Sequence, residues 1–479
     1  MISTTVSRTP VLVVGAGPTG AVLALELARH GVPSLVVERA SRPPHHPELN
    51  LVGGHTLDLL RRLGVAERIL AAGLDPDGHD TAVWSRSIGR RPVATAPLPP
   101  PDRPGADGPG VLVTGTDLVV RLREAARAHP LVDLREGWIF TDLRPVTGGA
   151  VATLLDGHTG IRHTVAADHL AGCDGARSTV RRCLSVPMDE TLTSGHYYTI
   201  QFRSEHLARR FPRPATLIAD GIALTRCSGP GMWLGHLPLD DPDAETADPI
   251  ALLHSKLPDA LAASQILEVT QWPDPLGVAR TYRRGAAYLA GQAAHTLHPP
   301  SITVDTCLGD AADLGWKIAA TVHRWAGPGL LDSYERDRRP HAVRDRGLLS
   351  RELATRRRFG RLAAAGASRE RLAGVLRRDE LRHAGAGTPP RLPTDWLGPQ
   401  FTLVDATESG SGRALVATAR TRGIPMTHLA VADAPPRNRW PDRLVLIRPD
   451  QLVAWQSAGE TADWDGVLDR VTGRPPRIT

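Results

Sequence analysis

Residues 9–39 constrain this 479-residue chain more than any other stretch. Val11-Leu12-Val13-Val14 reads as a buried strand and Gly15-Ala16-Gly17-Pro18-Thr19-Gly20 as a tight turn. Ala21 to His30 reads as an apolar helix closed by Gly31, and Ser34 to Val37 as a second strand ending at Glu38. A Gly-x-Gly-x-x-Gly turn alone is a weak signal. Set between a strand and a helix, with an acid at the next strand end, it predicts a dinucleotide-binding βαβ unit. Gly15 permits the turn, Gly17 lets the backbone approach a pyrophosphate, and Gly20 lets helix and strand pack closely. The helix N-terminus offers unpaired N–H groups and a positive dipole end to the phosphates. Glu38 lies 18 residues beyond Gly20, placed to accept hydrogen bonds from a ribose, with Arg39 beside it.

The length suits two or three domains. Residues 1–184 read as the first part of the nucleotide domain, with helices from Thr56 to Leu63 and Asp117 to Ala128 and a Pro/Gly-rich loop at 96–110. Residues 185–285 are strand- and turn-rich and predict a sheet laid over that domain. Residues 286–382 return to the nucleotide pattern. They hold a short strand at Tyr288-Leu289-Ala290, a helix from about Gly309 to Trp325, and an Arg-rich helical stretch from Tyr334 to about Arg382. A linker at 383–398 precedes the tail, 399–479, with predicted strands at Leu415–Ala417 and Arg443–Ile447 and a final helix. The cysteines (173, 183, 227, 307) are scattered. They give neither a metal site nor a disulfide framework, so a reducing, cytoplasmic setting is expected. No apolar run reaches the roughly 18 residues of a membrane span, and the early strand leaves no room for a signal peptide. The net charge of +6 reads as a solvated, mildly basic surface that is compatible with an anionic ligand, and the 4% aromatic content supplies no nucleic-acid platform. The expected partner is a small molecule, with no nucleic acid and no membrane. The oligomeric state is open.

Read together, these segments resemble the class A flavoprotein monooxygenases, the para-hydroxybenzoate-hydroxylase-like enzymes, and in particular the aromatic polyketide hydroxylases. Gly172-Cys173-Asp174-Gly175-Ala176-Arg177-Ser178-Thr179-Val180-Arg181 is similar to the family's second motif, which lines the cleft between flavin and nicotinamide cofactor. Asp310-Ala311 with Leu314-Gly315-Trp316-Lys317, and Leu331 to Glu335 with Arg338-Arg339-Pro340, resemble its later helices. The tail, with Leu446 to Asp450 and Val453-Ala454-Trp455, resembles a thioredoxin-like domain that lacks a redox cysteine pair. The resemblance implies an α/β fold. A Rossmann-like FAD/NAD(P)-binding domain would carry an interleaved β-sheet substrate domain and a C-terminal thioredoxin-like domain. It implies FAD as cofactor, NADPH as hydride source, and a polycyclic or polyketide substrate. It places Gly15, Gly17, Gly20, Glu38, Arg39, Asp174, Gly291 and Gln292 at the cofactor.

The departures from that pattern cluster on the flavin. Gly291-Gln292 stands where the family has Gly-Asp, whose acid holds the ribityl chain. The loop Ser301-Ile302-Thr303-Val304-Asp305-Thr306-Cys307-Leu308 is two residues short, with no glycine before Gly309. Side chains occupy the space a backbone approach to the flavin needs, and Asp305, if it points inward, brings negative charge there. Glu48 and His55 stand where arginine is usual, and Val113-Thr114-Gly115-Thr116-Asp117 lacks the usual Gln. FAD binding through its ADP portion is therefore expected, with altered redox competence and NADPH use in question. The favoured expectation is a non-redox tailoring enzyme that performs a cyclisation (such as a 4+2 closure, a known variant of this family) or a rearrangement. The alternatives are a working FAD- and NADPH-dependent hydroxylase and a non-catalytic partner in a biosynthetic complex. Asp305, Gln292 and His45 are the candidate catalytic groups.

Overall fold

The computed structural model describes residues 6–43, 49–73, 81–88, 90–97, 110–191, 196–211, 215–219, 221–227, 229–239, 248–257, 265–272, 276–297, 303–380, 397–407, 410–430, 444–457 and 463–475. The strand Val6–Val14 is the centre of the main sheet. Its Val11 to Val14 run is 0–4% exposed, the signature of a strand covered on both faces. It pairs in parallel with Ser34–Glu38 on one side and Arg162–Gly172 on the other. Val132–Glu136 and Ala287–Leu289 extend the parallel set outward. The helix Pro18–Arg29 packs on this sheet with every residue from Thr19 to Ala28 buried. It is sandwiched between the sheet and the helix Val304–Val322. Gly315 makes that approach possible, because a Cβ there would lie 2.7 Å from Glu26 Cγ.

A seven-stranded sheet forms the second layer, in the order 265–272, 196–203, 232–239, 222–226, 215–219, 81–84, 94–97. Thr81–Trp84 and Ala94–Pro97 join it from ahead of 185–285, and Thr81–Trp84 runs parallel to Ala215–Ala219. One face buries Ile200, Phe202, Leu224, Trp233 and Leu237 with residues of the helices Glu205–Arg210 and Pro249–Lys256. Alternation along the strands puts Thr199, Gln201 and His236 on the other face.

The tail is a four-stranded sheet ordered 426–430, 401–405, 444–447, 453–457, with helices Arg413–Thr421 and Trp464–Thr472. The first pair is parallel and the others antiparallel, the thioredoxin-like arrangement. Phe401 packs edge-on against Trp316 and Trp325 of the nucleotide domain, at centroid separations of 5.8 and 6.0 Å. Beside this contact, Arg448 of the tail pairs with Asp313, Asp337 and Asp450, while Lys317 reaches Asp313 at 2.8 Å and Asp337 at 2.7 Å. Burial pushes the Asp313 carboxyl up to about 6 even against Lys317 and Arg448.

Two elements differ from the sequence reading. Leu415–Ala417 lies inside the helix Arg413–Thr421, where Leu415 and Ala419 face the tail core. A three-residue apolar run fits one helical face as well as a strand. The helix expected from about Gly309 begins at Val304, so Val304–Leu308 are helical rather than loop. Contacts with Leu297, Gly53 and Thr19 override the poor helix propensity of Thr303 and Val304. Among the described residues no helix is long and apolar enough to cross a membrane. Among the described residues, no group of three or more His, Cys, Asp or Glu side chains is placed to hold a metal ion.

Candidate active site

Four strands of the main sheet end at one edge, at Val14, Glu38, Gly172 and Leu289. The carboxyl ends of parallel strands, where neighbouring connections diverge, form a crevice in doubly wound sheets. Here the crevice is a cavity of about 430 Å³. Gly15, Gly17, Pro18 and Thr19 line it from the turn, Glu38 to Ala40 from the second strand end, and Cys173, Asp174 and Gly175 from the third. Gln292 and the start of the helix Val304–Val322 close its other end.

The turn is built as its glycines require. Gly15 has φ +99° and sits so close to the third strand that a Cβ would lie 2.4 Å from Cys173 O. A Cβ on Gly20 would lie 1.9 Å from Gly15 O. Gly17 differs, since nothing stands within 4 Å of the position its Cβ would take. The helix behind it has no side-chain cap and no acid in its first turn. Open space over a glycine and an uncapped helix N-terminus make a cradle for a pyrophosphate. Glu38 accepts from Ala16 N at 2.8 Å and from Ala40 N at 3.0 Å. A carboxylate has about four acceptor positions, so capacity remains for a ribose hydroxyl. The residues present therefore fit the adenosine and pyrophosphate portions of FAD.

Asp174 lines the cavity, but its carboxylate is engaged within the chain. It accepts from Ser178 Oγ at 2.5 Å, Thr179 N at 2.7 Å and Val180 N at 3.1 Å, holding the short helix Thr179–Cys183 against the third strand end. Gly291 is buried with φ +60°, and its Cβ position is 2.3 Å from Thr19 Oγ1. Its N–H donates to Asp310 Oδ2 at 3.0 Å. The same oxygen meets His295 Nε2 at 2.9 Å, and Arg338 Nε donates to Oδ1 at 2.9 Å. Asp310 and His295 are 0% exposed. Burial alone would raise the Asp310 carboxyl, but His295 and Arg338 hold it below the usual carboxylate range. This buried cluster fixes the peptide that carries Gln292 into the cavity wall.

At that end the wall is Gln292, Thr303, Val304 and Cys307. Burial, then the charge of Asp310, pushes the Cys307 thiol far up, so it stays neutral, and it bonds Thr19. Asp305 is turned elsewhere. It accepts from Gly53 N at 3.0 Å, at the start of the helix Gly54–Arg62, and it is not among the lining residues. Gly115, within the stretch Val113–Asp117 that lacks the Gln the resemblance implies, lines the cavity. Thr114 caps the helix that follows, accepting from Asp117 N at 3.0 Å. Gly20 and Gly291 lie beneath the cavity rather than in its wall, and Arg39 lines it. His45, Glu48, His298, Ser301 and Ile302 lie outside the described residues. The structure adds Arg123, Asn50 and the stretch Trp138 to Phe140 to the wall. No local motif marks them, and their spacing from the turn carries no signal in the sequence.

Residues 8–345 match the family model described as FAD binding domain, and 379–475 match that of the aromatic-ring hydroxylase C-terminal domain. The chain is 29% identical over 464 residues to dialkyldecalin synthase of Streptomyces rugosporus, covering 93% of this chain and 96% of that protein. It is 28% identical over 366 residues to the FAD-dependent monooxygenase apdD of Emericella nidulans, covering 69% of this chain and 58% of that protein. Among solved structures, the rebeccamycin biosynthetic enzyme RebC with reduced flavin superposes with a TM-score of 0.85 at 26% identity, covering 98% of this chain and all of that one.

Proposed function

The chain belongs to the FAD-binding domain family of flavoprotein monooxygenase-like enzymes, and on that premise we propose that it is a polyketide-tailoring enzyme that holds FAD yet performs a non-redox cyclisation or rearrangement. The carrying observation is the neutral, side-chain-lined wall at the flavin end, made of Gln292, Thr303, Val304 and Cys307. A 4+2 closure transfers no proton and develops little charge. A desolvated chamber that holds the two reacting ends together can lower its barrier by several kcal/mol, on the order of what orientation alone supplies. Dialkyldecalin synthase, of matching length, supports this reading by its name.

The turn at Gly15–Gly20, the uncapped helix behind it and Glu38 hold the nucleotide portion of FAD. When bound, FAD supplies hydride and oxygen chemistry in redox members of such a family, and in the proposed reaction a rigid planar wall. Gln292, in the cavity wall, would offer one hydrogen bond at that end of the cofactor.

One observation favours a second reading, hydroxylation. The N-terminus of the helix Val304–Val322 opens on the cavity, where its dipole stabilises negative charge on a ring. The two readings separate by mass. The FAD-loaded protein, given a linear polyene polyketide without NADPH and oxygen, is expected to yield an isomer of unchanged mass. A product one oxygen atom heavier, formed only with NADPH and oxygen, overturns the proposal.

Two substitutions follow. Gln292→Ala is expected to slow turnover about fivefold, the worth of one hydrogen bond of about 1 kcal/mol. Asp305→Asn is expected to leave turnover unchanged while lowering stability by about 0.5–1 kcal/mol, through the contact with Gly53. Steady-state rates and urea midpoints check both, and a lost rate in Asp305→Asn contradicts this division of roles.

A further inference from the structure

Arg123 sits in the middle of the helix Gly115–Ala128, on the face that also buries Leu118, Val119, Leu122 and Ala126. It is 2% exposed. A guanidinium taken out of water on an otherwise apolar face is costly unless its charge and donors are satisfied. Here they are satisfied by groups that matter to the cavity. Nε donates to Ala16 O at 2.7 Å, one terminal nitrogen lies 3.2 Å from Glu38 Oε2, and the other donates to Glu136 Oε1 at 3.1 Å. Glu136 is in turn paired with the half-exposed Arg127 at 2.5 Å. Charges therefore alternate from the cavity to the surface, through Glu38, Arg123, Glu136 and Arg127.

We propose that Arg123 is a positioning residue for the nucleotide half of the cofactor, acting through Ala16 and Glu38 at once. Ala16 is the residue between the first two glycines of the turn. Its N–H donates to Glu38 and its C=O accepts from Arg123, so both of its backbone groups are held. In a trans peptide the C=O and the next N–H point in opposite directions. Fixing Ala16 O therefore fixes the direction of the Gly17 N–H, beside the open space above Gly17. The same guanidinium, with Ala16 N, fixes one oxygen of Glu38, and Ala40 N fixes the other. The carboxylate thus meets a ribose in one orientation, with no ordering left to be done on binding. Lysine cannot reproduce this, because one ammonium cannot span three acceptors in a fixed fork.

This assignment rests on the FAD reading of the cavity. The test is fluorescence titration of FAD into the apo-protein for wild type, Arg123→Met, Arg123→Lys and Glu136→Gln, with the thermal midpoint of each apo-protein measured alongside. Arg123→Met is expected to weaken FAD binding about 10- to 100-fold, and Arg123→Lys to recover only part of that loss. Glu136→Gln, which spares the contacts to Ala16 and Glu38, is expected to bind FAD within about threefold of wild type. Arg123→Met within twofold of wild type overturns the assignment. So does Glu136→Gln losing as much as Arg123→Met, which marks a merely structural ion chain. If Arg123→Met does not fold, Arg123→Lys against Glu136→Gln decides on the same criterion. A wild-type protein that takes up no FAD overturns the cofactor reading itself, and the assignment with it.

Discussion

Asp310→Asn is expected to cost the apo-protein about 3–5 kcal/mol of stability and to abolish detectable FAD binding. Asp310 is 0% exposed and accepts from Gly291 N, His295 and Arg338. Asparagine keeps the size but removes the charge and presents an NH₂ where a donor must be accepted. Arg338, 7% exposed, is then a buried cation without its counter-charge. The damage reaches the cavity because Gly291 and the helix Val304–Val322 are both held through Asp310. The pH dependence has a fixed sign. The folded-state pKa is lowered from 3.8, so the carboxylate's stabilisation is fully present above that value and is lost as pH falls through the folded pKa. The gap between wild type and Asp310→Asn should therefore persist at about pH 5 and close only in stronger acid. Guanidinium unfolding of the two apo-proteins at about pH 5 and in stronger acid measures it. A gap under about 1 kcal/mol, or one that shrinks already at pH 5, contradicts this account of the cluster.

Two glycines of one turn should fail in different ways. Gly20→Ala places a Cβ 1.9 Å from Gly15 O and 3.3 Å from Cys173 Cβ. The clash is with backbone, so the turn must open. A loss of at least about 1–3 kcal/mol is expected, the usual result of overpacking, and FAD binding is lost with it. Gly17→Ala meets no atom of the chain within 4 Å. Its apo stability should stay within about 0.5 kcal/mol of wild type, while FAD affinity falls at least tenfold, or about 1.4 kcal/mol. Apo unfolding midpoints and FAD titration read the two effects separately. Equal behaviour of the two variants would mean that the space above Gly17 is not where a pyrophosphate lies.

The parts legible in the sequence were those written locally. The turn at Gly15–Gly20, the strand runs on either side of it and Glu38 all lie within residues 11–38, and each carries a distinct residue signal. The antiparallel end of the tail was marked by the run at Leu444–Ile447 and the turn after it. The start of the helix at Val304 was not legible. Thr303 and Val304 favour extended backbone, and what makes them helical is contact with distant groups such as Gly53, 252 residues from Asp305. Arg123 was invisible for the same reason. In Arg121-Leu122-Arg123-Glu124 it reads as one more surface charge, and only the fold brings it to Ala16, 107 residues away. The orientation of Asp305 belongs to the same class: the sequence places it beside the cavity, and packing turns it toward Gly53.

On the proposed function the protein holds FAD but does not use it for redox chemistry. The visible spectrum of the FAD-loaded protein, followed anaerobically after NADPH is added, tests it most directly. Flavin bands that persist through many turnovers' worth of time are the expected result. Bands that bleach promptly would mean that the wall of Gln292, Thr303, Val304 and Cys307 supports hydride transfer, and the protein would then be a hydroxylase.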